Sequence, residues 1–68
     1  MRLRMAKFDV DVELTDVDGN AFSVMGAVTK TMRRNGISQT DIDEYKKEAM
    51  SGDYDHLLRV TMETVNVS

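Results

Sequence analysis

From Lys7 to Leu14 apolar and polar residues alternate without a break, with Phe8, Val10, Val12 and Leu14 on one side and Lys7, Asp9, Asp11 and Glu13 on the other. A period of two over this length predicts a β-strand with one buried face. No other stretch repeats the pattern at comparable length. The strand must therefore pair either with the short C-terminal segment Val65-Asn66-Val67 or with a second chain.

Beyond Thr15 the period changes. Asp16-Val17-Asp18-Gly19-Asn20 is rich in residues that tolerate positive φ or bond their own backbone, and it predicts a turn. Asn20 is placed to cap a helix from Ala21 to about Asn35, in which Phe22, Met25, Val28, Thr29 and Met32 recur every three or four residues. Arg33 and Arg34 suit its negative end, and Gly36 suits the left-handed position beyond it.

Ser38-Gln39-Thr40-Asp41 resembles a capping box opening a second helix, whose apolar stripe is Ile42, Tyr45, Ala49 and Met50 and which stops at Ser51-Gly52. Asp53 then caps a third helix, running to about Thr64, with Tyr54, Leu57, Leu58, Met62 and Val65 at helical spacing. The strand face is expected to pack on Phe22, Met25, Met32, Ile42, Tyr45, Leu57, Leu58 and Met62. The fold class is α+β: an N-terminal β-strand followed by three short α-helices, with a short C-terminal strand as an option.

Sixty-eight residues without proline, linker or repeat make one domain, spanning 1–68. A chain of this size buries only about 60% of its unfolded surface, and small domains often add disulfides, metals or oligomerisation. With no cysteine and one histidine, oligomerisation is the remaining option, and a homodimer paired through Phe8, Val10, Val12 and Leu14 about a two-fold axis is expected. Arg2, Arg4 and Lys7 are followed by the acidic strand rather than by an apolar run, so no signal peptide is expected. No segment approaches the roughly 20 apolar residues of a membrane span. A cytoplasmic location without membrane contact is the expectation.

The formal net charge of −3 conceals a segregation along the chain. Lys30, Arg33 and Arg34 precede an acidic block of Asp41, Asp43, Glu44, Glu48, Asp53 and Asp55, interrupted only by Lys46 and Lys47. Asp41, Asp43, Glu44 and Glu48 are candidate contacts for a basic protein partner.

Candidate chemistry is sparse. Placing Gly19 at the sixth position of a calcium loop puts Leu14 and Met25 where oxygen ligands belong, so the turn lacks the ligand count. Isolated glycines exclude a phosphate loop. Thr29 to Tyr45 has the outline of a helix-turn-helix, with Lys30, Arg33 and Arg34 as the alternative nucleic-acid contacts. Its second helix, however, would bring Asp41, Asp43 and Glu44 towards phosphates. His56 beside Asp53 and Asp55 has no second histidine or cysteine to complete a metal or acid-base set, and Ser51 has no obvious activating base. No catalytic residue, metal or cofactor is expected.

Two stretches, Asp18-Gly19-Asn20-Ala21-Phe22 and Ser51-Gly52-Asp53-Tyr54-Asp55-His56-Leu57-Leu58, resemble a small family found in bacteriophage and bacterial genomes, with Arg34-Asn35-Gly36-Ile37-Ser38 in register between them. The resemblance implies a small domain of phage origin and carries no activity or cofactor onto these residues. The sequence thus predicts a small non-enzymatic protein-interaction module, a phage accessory protein acting on a host or phage protein. A nucleic-acid-binding regulator is the alternative.

Overall fold

A computed structural model describes residues 6–15 and 17–67. Arg2 and Arg4 of the basic N-terminal block and Asp16 of the turn lie outside the described residues. The order is β1 (Asp11–Val12), α1 (Ala21–Arg34), α2 (Gln39–Ala49), α3 (Tyr54–Thr64) and β2 (Asn66–Val67), an α+β fold that is mostly helical.

All three helix starts are set by the expected side chains. Asn20 Oδ1 accepts the Ser23 N–H at 2.9 Å, Ser38 Oγ accepts that of Asp41 at 3.2 Å, and Asp53 Oδ1 accepts that of His56 at 2.9 Å. α1 ends in a Schellman motif: the Gly36 N–H donates to the Arg33 carbonyl and the Ile37 N–H to the Met32 carbonyl. That geometry needs a left-handed residue, and Gly36 supplies it at φ +79°.

The N-terminal segment finds its partner inside the chain. β1 and β2 pair in parallel, Asp11 opposite Asn66 and Val12 opposite Val67, and the three helices form the crossover that parallel neighbours require. The regular ladder is two residues long, not the eight of the alternation. Ahead of it, the Lys7 and Phe8 N–H groups donate to the Glu63 and Thr64 carbonyls at 2.7 and 2.9 Å. Those carbonyls end α3 and have no acceptor role within the helix, so the segment serves as the cap of α3 before it becomes a strand. The Asn66 side chain fastens the pair from outside, donating to Asp9 Oδ1 and Asp11 Oδ1 at 3.0 and 3.1 Å.

The predicted faces of the segment hold: Val10 and Val12 are buried, Phe8 and Leu14 half-buried, and Lys7, Asp9, Asp11 and Glu13 exposed. The four apolar residues assigned to a dimer strand pack within one chain, and β2 and the end of α3 pair with one edge of their segment.

The core gathers Val10 and Val12, then Val24, Met25, Val28 and Met32 of α1, Ile42, Tyr45 and Ala49 of α2, and Leu57, Val60 and Val65 around α3. Four expected core or stripe residues point outward instead: Phe22 is 77% exposed, Met50 58%, Met62 56% and Tyr54 40%. On α3 the inward stripe is Leu57, Val60, Thr61 and Thr64, which is one helical face and leaves Met62 on the other. Threonine can join it because its hydroxyl finds a local acceptor: Thr64 donates to the Val60 carbonyl at 2.7 Å, and Thr29 in α1 to that of Met25 at 2.9 Å.

The third buried hydroxyl links two helices. Tyr45 Oη and Thr61 Oγ1 lie 2.7 Å apart in the interior. Burial raises the Tyr45 pKa above its ordinary 10.0, against the opposing effect of the Thr61 hydrogen bond. Because the folded state favours the neutral phenol, this contribution to stability is fully present below pH 10 and is lost as pH rises through the folded pKa. Tyr45→Phe strands Thr61 Oγ1 and is expected to cost about 1–2 kcal/mol. It also removes part of the alkaline loss, which thermal melts on either side of pH 10 will read.

Candidate functional site

α2 presents its outer face along a groove of about 530 Å³ that is closed on the other side by the end of α3 and by Lys7 and Phe8. Tyr45, Val60 and Phe8 supply the apolar part of its lining, and the carboxylates of Asp41, Glu44, Glu48 and Glu63 line it together with Lys7 and Lys47. Lys7 Nζ stands 5.6 Å from the centre of the Phe8 ring, holding cation and ring together at one edge.

This arrangement follows from helical spacing. Asp41, Glu44 and Glu48 are separated by three and four residues and so share a face with Tyr45, whose ring is anchored inward. Asp43 does not join them: it lies outside the groove lining and accepts a hydrogen bond from Gln39 Nε2 at 2.9 Å. Three of the four acidic candidates are thus brought together. Glu63, from α3, and the half-buried Phe8, expected only as a dimer-strand residue, also line the groove and were not among the acidic partner-binding candidates, since only the folded chain end places them there.

Lys30, Arg33 and Arg34 are exposed towards the end of α1, and none lines the groove. In the α1-turn-α2 unit, the exposed side chains of α2 include Asp43, Glu44 and Glu48. A duplex docked on α2 would meet these carboxylates together with Lys46 and Lys47.

Ser51 and His56 come together, and the details decide their role. His56 Nε2 is 3.0 Å from the Glu48 carbonyl, 3.1 Å from Ser51 Oγ and 3.5 Å from Glu48 Oε2. A carbonyl only accepts, so the first contact is a hydrogen bond in the tautomer that carries a proton on Nε2. The Ser51 hydroxyl donates to the same carbonyl at 2.7 Å, and the Ser51 N–H reaches it at 3.1 Å. The cluster thus gathers Ser51 and His56 around the Glu48 carbonyl at the end of α2, and the tautomer of His56 sets whether Nε2 donates to that carbonyl or accepts from Ser51 Oγ. The ring folds back over Gly52, where a Cβ would fall 2.8 Å from His56 Cγ.

In the Asp18–Phe22 turn, Asn20 Nδ2 donates to Asp18 Oδ2 at 3.2 Å while its Oδ1 caps α1, which is the turn-and-cap role expected there. Among the described residues no three histidine, aspartate or glutamate side chains converge as a metal site, and no helix is long and apolar enough to cross a membrane. Comparison of the chain with protein-family models, with curated proteins and with solved structures finds no match.

Proposed function

We propose that this chain is a small non-enzymatic protein-interaction module of the cytoplasm that holds a basic segment of a partner in the groove beside α2. The carrying observation is that four carboxylates, Asp41, Glu44, Glu48 and Glu63, against two lysines, Lys7 and Lys47, line one groove with the half-buried Phe8, over a floor of the buried Tyr45 and Val60. Such a groove fits lysine or arginine residues flanking one large apolar side chain: the carboxylates steer and orient the segment, and the apolar contact retains it. The resemblance of Asp18–Phe22 and Ser51–Leu58 to a phage and bacterial family sets the proposed role as that of a phage accessory protein acting on a host or phage protein.

The test uses a fluorescent peptide with arginines and lysines around one leucine, and its charge-reversed counterpart with aspartates and glutamates. The basic peptide is expected to bind, to weaken as salt rises, and to lose about tenfold or more in affinity towards the Asp41→Asn/Glu44→Gln/Glu48→Gln variant. Equal binding of the two peptides, or affinity unmoved by the triple change, overturns the proposal.

A further inference from the structure

A second concave surface lies apart from the acidic groove, where the start of α1, the end of α2 and the start of α3 meet. It is a hollow of about 240 Å³ floored by the buried Met25, Ala49 and Leu57 and edged by Phe22, Met50 and Tyr54. Those three are 77%, 58% and 40% exposed. Asp53 is its one charged lining residue, and the Asp53 carboxylate already accepts the His56 N–H.

The two sequence stretches singled out above converge here. Within them Asn20, Ser51, Gly52, Asp53 and His56 have structural tasks as caps or as the space a ring needs. Phe22 and Tyr54 have none of that kind: neither caps a helix, and both hold aromatic surface in water beside a hollow. Burying apolar area is worth about 25 cal/mol per Å², so this exposure is costly unless something covers it.

We infer that a second copy of this chain covers it, each Phe22 seating in the hollow of the other about a two-fold axis. Three observations favour that occupant. A protruding side chain and a receiving hollow lie side by side on one face, which is the self-complementarity an isologous contact demands. The lining is nearly uncharged, so two chains of net charge −3 meet where like charges oppose each other least and where no charge selects a charged partner. Aromatic residues and methionine, the types enriched at such interfaces, make up its exposed edge. The inference is independent of the acidic groove, which remains open on both copies.

The test is solution mass by light scattering over a dilution series from millimolar to micromolar, for the full chain and for Phe22→Asp. Phe22 is largely exposed in the first turn of α1, where an added carboxylate favours the helix, so the variant keeps its fold, as circular dichroism will verify. The native chain is expected at twice its 7.7 kDa mass when concentrated, and the variant at the single-chain mass throughout. Tyr54→Arg, at the opposite edge of the hollow, is expected to dissociate in the same way. A native chain that stays monomeric at the highest concentration, or a dimer that survives both variants, overturns the inference.

Discussion

Val12→Asp is expected to unfold the chain at neutral pH. Val12 is 2% exposed, and the core cluster around it contains no lysine, arginine or histidine to pair with a carboxylate. The substitution forfeits roughly 1.5–3 kcal/mol of valine burial and adds a desolvation cost of several kcal/mol for an unpaired charge. A chain of this length has a total stability of only about 3–10 kcal/mol. Circular dichroism should show the helical signal lost and no cooperative melt, while Glu13→Ala, on the exposed side of the same segment, should melt close to the native chain. The outcome also tests where the strand pairs. A strand serving only a dimer interface would leave a folded monomer after Val12→Asp, whereas a strand paired with Val67 inside the chain and packed in its core leaves nothing folded.

Gly52→Ala is the second large effect, and its size depends on His56. The Gly52 backbone does not occupy the left-handed region, so alanine meets no backbone strain there. Its Cβ would instead lie 2.8–2.9 Å from His56 Cγ, Cβ and Cδ2. Contacts at Cβ cannot be relieved by turning the ring, so the start of α3 must shift and the contacts with Ser51 and Glu48 are lost. Overpacking of this kind together with the lost hydrogen bonds should cost about 2–3 kcal/mol. In a chain this small that lowers the melting temperature by roughly 10–20 °C. Removing the ring first relieves only part of this cost: in a His56→Ala background the contact with the remaining Cβ at 2.9 Å persists, and Gly52→Ala should cost clearly less than in the native chain. The double-mutant cycle measures this coupling directly, and additivity of the two changes would exclude the packed ring.

Much of the fold was legible because its punctuation is local. Asn20, Ser38 and Asp53 cap helices through their own side chains, and Gly36 closes α1 through its own φ, so the boundaries of α1, α2 and α3 follow from residues within a turn of each end. The alternation from Lys7 to Leu14 told which side of the segment is buried, but its ladder length depends on the partner. β2 offers two residues, and the carbonyls ending α3 take the amides of Lys7 and Phe8.

Helix phase was the weaker reading. Counting threonines as polar hid the Leu57-Val60-Thr61-Thr64 stripe and drew Met62 inward, although a helical threonine can satisfy its hydroxyl on the preceding turn. Phe22 looked like core by hydrophobicity alone, and only the packed helices show that it stands at an edge. The acidic candidates were visible as a block in sequence; their separation into Asp41, Glu44 and Glu48 beside the groove and Asp43 away from it follows the helical repeat. Glu63 and Phe8 join from distant positions that no local pattern connects.

The proposal of a basic-segment groove is tested most directly by following the backbone amides of the isotope-labelled chain by NMR while the arginine- and lysine-flanked leucine peptide is added. Saturable shifts are expected, concentrated at Asp41, Glu44, Tyr45, Glu48, Glu63 and Thr64 and abolished by high salt and by the triple neutralisation. Shifts concentrated instead at Lys30, Arg33 and Arg34 or around Phe22 and Tyr54, or none at saturating peptide, would contradict it.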